Sequence, residues 1–383
     1  MNPMISPDRQ NNFDLIRLLA AAQVVVAHAI GHTDLVNHLP AWGKSLFDAL
    51  MLLPGVPVFF VISGFLITKS YERNPSDLAG YFWRRGLRIF PALWVCLFFT
   101  LAALAAFGFL TTDFLLTKTF IAWLAGQVSF FQFYNPEHFR GFGIGVANGA
   151  LWTITVELQF YIFVPILYFL TGGAEQRATL SKAILGILFF VSFALYCVMD
   201  DQVNGPGGFT GAPLPFKLLH VTVIPHLWMF LLGILIHRNF ERLKTWIEGT
   251  FLWYLVGYIL FMGLLDTFVA ERSLPFYLAY LPSRTLLAFA TIAGAFSART
   301  LSQRLLGGTD VSYGIYIYHS LVINIMVQLG MMTSMISVVG VYIVSIILAL
   351  MSWHLVEKPV LGVKSLSPRS IWSRLTGCAD SGA

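Results

Sequence analysis

Charge is what this sequence has least of. Only 11% of its 383 residues are charged, whereas an ordinary water-soluble domain carries roughly a quarter. Cysteine is scarce too. Cys96, Cys197 and Cys378 are scattered, two of them in apolar stretches, which argues against a disulfide framework or a metal cluster, so no metal site is expected. No Pro/Gly/Ser-rich linker is long enough to separate a second domain, and no internal repeat is visible. The first apolar stretch lacks a small-residue cleavage site and opens with an acid and an arginine, so it reads as a retained span rather than a signal peptide.

What is present is apolar: 57% of the residues are hydrophobic and the mean hydropathy is +0.73. Such a chain is an all-α polytopic membrane protein. The formal net charge of +5 fits basic loops beside a membrane surface and gives no sign of nucleic-acid binding.

Apolar segments of spanning length lie near residues 12–31, 51–69, 89–109, 115–134, 150–170, 182–199, 217–237, 250–268, 277–297, 310–330 and 335–355. Basic residues decide which of them cross. With the N-terminus inside, Arg73, Arg84, Arg85 and Arg88 fall inside after the second span. If 115–134 also crossed, Arg238, Arg242, Lys244, Arg299, Arg304 and the C-terminal tail would all lie outside. That segment contains Lys118, Gln127 and Gln132, and reads better as re-entrant or interfacial. The expectation is about ten transmembrane helices with both termini cytoplasmic. Residues 1–360 then form the transmembrane domain and 361–383 a short basic cytoplasmic tail, with any chemistry inside the bundle.

The stretch 12–31, NFDLIRLLAAAQVVVAHAIG, carries Asp14, Arg17 and His28. At about 1.5 Å and 100° per residue, Arg17 and His28 share one helix face roughly 16 Å apart, with Asp14 on the same stripe. Arg17 then sits at one surface and His28 near the middle of a hydrocarbon core ~30 Å thick, a depth at which an ionisable side chain signals function.

In GALWTITVELQFYIFVPILY, residues 149–168, Glu157 lies roughly 9 Å in from the outer face, with Thr153 and Tyr161 on its stripe and Trp152 nearby. Counted from opposite surfaces, Glu157 and His28 occupy nearly the same layer, so Glu157 is expected to orient His28 as a general base. His319 and His226 reach the middle layer from their own helices, and a packing role is expected for each.

YFWRRGLRIFPALW, residues 81–94, sets Arg84, Arg85 and Arg88 at a cytoplasmic helix entrance, where Arg85 and Arg88 make a clamp suited to phosphate oxygens. Lipid headgroups are the competing partner. Ser63 and Gly64, inside an apolar span, permit close helix packing, and Ser63 is an alternative lining for a slender acyl chain or pantetheine arm.

Six stretches together, FDLIRLLAAAQVVVAHA, PVFFVISGFLIT, RRGLRIFPALW, LWTITVELQFYIFVPIL, VSYGIYIYHSLVI and WHLVEKP, resemble acyltransferase family 3, integral-membrane acyltransferases that commonly O-acetylate bacterial surface polysaccharides. The resemblance implies that Arg17 and His28 form the family's Arg-ten-residues-His motif. It likewise makes Arg85 and Arg88 its Arg-two-residues-Arg motif, and Glu157 the glutamate of its Trp-Ser-Leu-Ser-x-Glu-x-Gln-Phe-Tyr element. Thr153 and Thr155 stand where serines are usual, and Leu158 where a second acid is common. Without the C-terminal esterase-like domain of many relatives, the chain resembles the stand-alone form.

The expected function is membrane-embedded O-acyl transfer, chiefly O-acetyl transfer, from cytoplasmic acyl-CoA to a hydroxyl of a glycan or glycolipid such as a lipopolysaccharide or exopolysaccharide at the outer side of a bacterial inner membrane. Arg17, Arg84, Arg85 and Arg88 are expected to bind acyl-CoA, with His28 and Glu157 catalytic. Asp14, Ser63, Trp152, Tyr161 and His319 are expected to line the site. No bound cofactor is expected; acetyl-CoA is a co-substrate. The alternatives are a proton-coupled secondary transporter, and an acyltransferase with a larger acyl group or a small-molecule acceptor.

Overall fold

A computed structural model describes residues 11–33, 35–171, 178–205 and 207–363, and these are helical with no strand. Arg9, Arg177, Cys378 and the basic tail from residue 364 onward lie outside the described residues.

The principal helices are α1 Phe13–Gly31, α2 Ala41–Met51, α3 Gly55–Glu72, α4 Leu78–Ala106, α5 Lys118–Val128, α6 Trp152–Thr171 and α7 Ala178–Val203. They continue as α8 Leu227–Arg238, α9 Phe240–Ile247, α10 Phe251–Phe268, α11 Leu274–Phe296, α12 Ser312–Gln328 and α13 Met335–Ser352. Among the described residues, 8 helical segments are long and apolar enough to cross a membrane, and a pair bent by 56°, Leu214–His220 with Ile224–Arg238, could form a ninth span. The chain is a multi-pass membrane protein. Helix α5 has 11 residues, about 16 Å at 1.5 Å per residue, too short to cross; its Gln127 donates to the carbonyls of Gln132 and Tyr134 at 3.1 and 3.3 Å.

Helix α12, 17 residues long, is the central post. It is buried from Ser312 to Asn324, Tyr313 excepted, so the polar residues of that stretch bond to neighbouring helices and loops. Asn324 donates to the carbonyls of Val146 and Ala147 at 2.7 and 3.1 Å. Asn148 reaches the Ile317 carbonyl at 2.9 Å, and Ser320 accepts from the Gly149 amide at 2.9 Å. These bonds hang the loop before α6 along the middle of α12. Gly143, at φ +54, lies against Asn324 where a Cβ would collide.

Helix α3 packs on α8 backbone to backbone. A Cβ on Gly64 would land on the Phe230 carbonyl, and one on Gly233 on the Val61 carbonyl; without side chains there, the helices close on each other. The start of α1 is pinned by Asn12, whose amide donates to the carbonyls of Ser297 and Ala298 at 2.5 and 3.1 Å while its oxygen accepts from the Ser302 amide at 2.9 Å.

Candidate active site

Two cavities approach each other from opposite faces. The first, about 100 Å³, is narrow. Its polar wall is formed by Arg17, Ser63, Arg85, Arg88, Glu157, Tyr161 and their neighbours, and Val56, Phe59, Phe60 and Leu66 supply an apolar lining. It continues through Leu66 into a polar vestibule of about 350 Å³ that includes Asp14, Lys69, Ser70 and Arg73. The second cavity, about 400 Å³, is lined by His28, His32, Gln132, Asn148, Trp152, Ser320 and His220, among others.

The arginines of the first cavity differ in what already neutralises them. Arg88 is bound to Asp310 and lies 3.5 Å from Glu357. Arg17 is 3.3 Å from Asp14 and 3.9 Å from Asp310. Burial alone would push the Asp310 carboxyl up, but Arg88, Arg17 and the hydrogen bonds from Ser312 hold it below the ordinary carboxylate range. Glu357 is delivered by one π-helical turn at Trp353–Glu357, an irregularity that re-aims side chains at helix ends. Arg85 has no carboxylate partner among the described residues. It donates to Ser70 Oγ at 2.8 Å and lies over the Tyr81 and Tyr161 rings, and its buried Nε has no partner. The cavity therefore retains one guanidinium with unused donors, a natural place for an anion.

Arg84 does not join them. Its guanidinium donates to Asp77 at 2.9 Å, and Asp77 also caps α4 through the Gly80 amide. Ser63 lines the cavity.

Glu157 and His28, expected to face each other, have different partners, and that expectation is corrected here. Tyr161 Oη donates to Glu157 Oε1 at 2.6 Å, both lining the first cavity. His28 lies across the partition, its Nδ1 2.9 Å from Nε2 of His319. His319, 0% exposed, has its Nδ1 3.2 Å from the Ile315 carbonyl. A carbonyl only accepts, so His319 Nδ1 carries the proton and its Nε2 accepts from His28 Nδ1–H. His28 Nε2 is then the nitrogen with a free lone pair. The other deep histidine, His226, is 2.8 Å from the His220 carbonyl and packs on Phe60 and Trp152, a packing role as expected. Trp152 also stacks against His220, ring centroids 4.2 Å apart.

The partition is thin. Thr153 and Tyr316 line the first cavity while their neighbours Trp152 and Ser320 line the second. Thr153 Oγ1 donates to the Ala150 carbonyl at 3.1 Å and shares a 2.7 Å hydrogen bond with the Tyr316 hydroxyl. Tyr316 also packs on Phe59 and His319.

A basic cavity and a histidine-bearing cavity thus lie on either side of one partition within the helical bundle of a membrane protein. The sequence pattern of the acyltransferase domain family matches residues 10–354, and the chain belongs to that family, acyltransferase family 3. It is similar to nodulation protein 10 of Rhizobium leguminosarum, 33% identical over 371 residues, covering 94% of this chain and 95% of that protein. It is also similar to an O-acetyl transferase of Shigella phage Sf6, 28% identical over 374 residues, covering 92% and 96%. The peptidoglycan O-acetyltransferase OatA of Listeria monocytogenes is 26% identical over 373 residues; 91% of this chain aligns to only 55% of that longer protein. No solved structure matches. The chain is a membrane O-acyltransferase, which sets aside the transporter alternative.

Sequence reading missed Asp310 and Glu357. Each was signalled only by being an acid beside an otherwise apolar helix end, in GGTDVSYGIY and WHLVEKP.

Proposed function

We propose that the protein moves an acyl group, acetyl in the first instance, from acyl-CoA bound on the cytoplasmic side to a hydroxyl of a glycan or glycolipid on the outer side of a bacterial inner membrane. In this reading residues 1–360 are the transmembrane domain and 361–383 a cytoplasmic tail. Ten spans cross: the eight long helices, the bent pair and α12. Both termini are cytoplasmic, with Arg85, Arg88, Arg238 and Arg299 on that face, in keeping with the inside preference of basic residues.

The observation that carries the reading is the chain from the Ile315 carbonyl through His319 to His28. It leaves His28 Nε2 as a base in a residue of the outer cavity. That cavity's wall favours a sugar: Gln127, Gln132, Asn135 and Asn148 offer neutral hydrogen bonds, and Trp152 offers an aromatic face. The acetyltransferase names of relatives, two of them acting on peptidoglycan, support a glycan acceptor.

On the donor side Arg85 is the principal phosphate contact. Arg88 and Arg17, already balanced by carboxylates, add positive potential. Arg84 is left out of the donor site. Ser63, Phe59 and Leu66 line the path of the pantetheine arm, with Asp14 at its mouth. The thioester then reaches the seam at Tyr316. His28 Nε2 takes the acceptor hydroxyl proton, the oxygen attacks the thioester carbonyl, the C–S bond breaks, and the thiolate is protonated by the imidazolium. Glu157, held by Tyr161, serves the donor cavity beside Arg85 in place of orienting His28. No bound cofactor enters the reaction.

Release of free CoA from acetyl-CoA by the protein in membranes, with and without a candidate glycan, tests this reading. His28→Ala should abolish glycan-dependent release. His319→Phe should lower kcat about a hundred-fold with the donor KM unchanged, because the base loses its tautomer control. Full activity in His28→Ala would remove the proposal.

A further inference from the structure

A third cavity, about 750 Å³, opens on the face that carries Arg238 and Arg299, between α3, α7, the α8–α9 corner and the end of α11. Its make-up is amphipathic. The apolar part is Phe65, Leu185, Leu235, Phe240 and Phe296. Around it stand six cationic side chains, Lys69, Lys182, Arg238, Arg242, Lys244 and Arg299, against the carboxylates Glu241 and Glu248.

The carboxylates within reach are largely spoken for. Glu248 is bound to Arg299, and Glu72, behind the wall, takes Arg238 at 2.8 Å and His237 at 3.2 Å. Lys182, Arg242 and Lys244 have no hydrogen-bonded or ion-paired side-chain partner among the described residues. Their heads are exposed.

The corner that sets this up is built in. Asn239, between α8 and α9, donates to the Leu235 carbonyl at 2.8 Å and turns the chain sharply. Leu243 and the buried Ile247 of α9 face the core, so Arg242 and Lys244 are left toward the cavity and solvent. Of the carboxylates among the described residues that line the cavity, Glu248 is taken by Arg299, which leaves Glu241 against several cationic side chains. A surface of this kind beside an apolar recess takes an anionic phosphate ester joined to an apolar or planar group.

We infer that this cavity is a second anion site, taking an organic phosphate. Two sources share that chemistry: a phosphorylated nucleotide, as at the far end of an acyl-CoA donor, and the headgroup of an anionic phospholipid. The site stands apart from the narrow cavity and does not depend on how the donor is held there, although Lys69 lies on the walls of both this cavity and the vestibule.

The experiment uses the full-length protein and the variant Lys182→Ala/Arg242→Ala/Lys244→Ala. In neutral phosphatidylcholine nanodiscs, adenosine 3′,5′-bisphosphate is titrated calorimetrically. In parallel, lipid retained from phosphatidylglycerol nanodiscs is counted by native mass spectrometry. Saturable binding of either probe that weakens about a hundred-fold in the triple variant supports the site, and the probe that responds identifies the source. For the parent alone, binding should also weaken as salt rises from about 50 to about 500 mM, a readout that needs no substitution to fold. Equal affinity of parent and variant for both probes, absence of binding to the parent, or binding indifferent to salt would overturn the inference.

Discussion

At the residue scale, the arginines of the narrow cavity separate into two kinds, and the separation predicts opposite phenotypes. Arg88→Ala removes the cation shared by Asp310 and Glu357, leaving Asp310 only Arg17 at 3.9 Å and Glu357 none among the described residues. Removing one partner of such a buried set costs about 3 kcal/mol, so the variant should melt markedly lower in detergent whether or not donor is present. Arg85 neutralises no carboxylate among the described residues, so Arg85→Ala should melt within a few degrees of the parent. Its donor KM should rise about ten-fold, the loss of one charge-assisted contact. If Arg85→Ala unfolds the protein while Arg88→Ala only weakens donor binding, the division of roles is wrong. These roles were only half legible in the sequence. Position along two helices and the bias of basic residues brought Arg17, Arg85 and Arg88 to one end of the bundle, but which acids balance them depends on contacts across more than two hundred residues, as between Arg88 and Asp310.

At the element scale, the α3–α8 crossing is held by absence of side chains at Gly64 and Gly233. Gly64→Ala would drive a methyl into the Phe230 carbonyl and force the helices apart, costing roughly 2 kcal/mol. Thermal unfolding in nanodiscs should show the loss, with a smaller effect from Gly257→Ala, where a Cβ meets nothing within 4 Å. Gly64 was readable as a packing residue from the sequence alone. The His28–Glu157 pairing shows where such reading stops. Rise per residue gives depth, which set the two in one layer; rotation of one helix about its axis relative to another leaves no mark on a single helix's periodicity. His319, on the buried post α12, therefore took the place expected for Glu157.

For the whole molecule, the parity of spans decides which side each cavity serves. With ten spans, single cysteines at Arg242 and Lys217 should be modified from opposite sides of the membrane by an impermeant maleimide, in a background lacking Cys96, Cys197 and Cys378. Labelling of position 242 from outside and position 217 from inside would reverse the assignment of donor and acceptor faces, and labelling of both from one side would remove the bent pair as a span. Composition and basic-residue bias reached the multi-pass architecture unaided, and the 11-residue α5 agrees with treating 115–134 as a segment that does not cross.

The two cavities lie on either side of a partition in which the Tyr316 phenol is hydrogen-bonded to Thr153 and packed on the ring of Phe59. In the proposed reading the transmembrane potential would fall mainly across that seam, so the tyrosine set between donor and acceptor would also serve as electrical insulation. Tyr316→Ala in liposomes should pass protons under an imposed potential, read by an entrapped pH dye, where the parent holds tight.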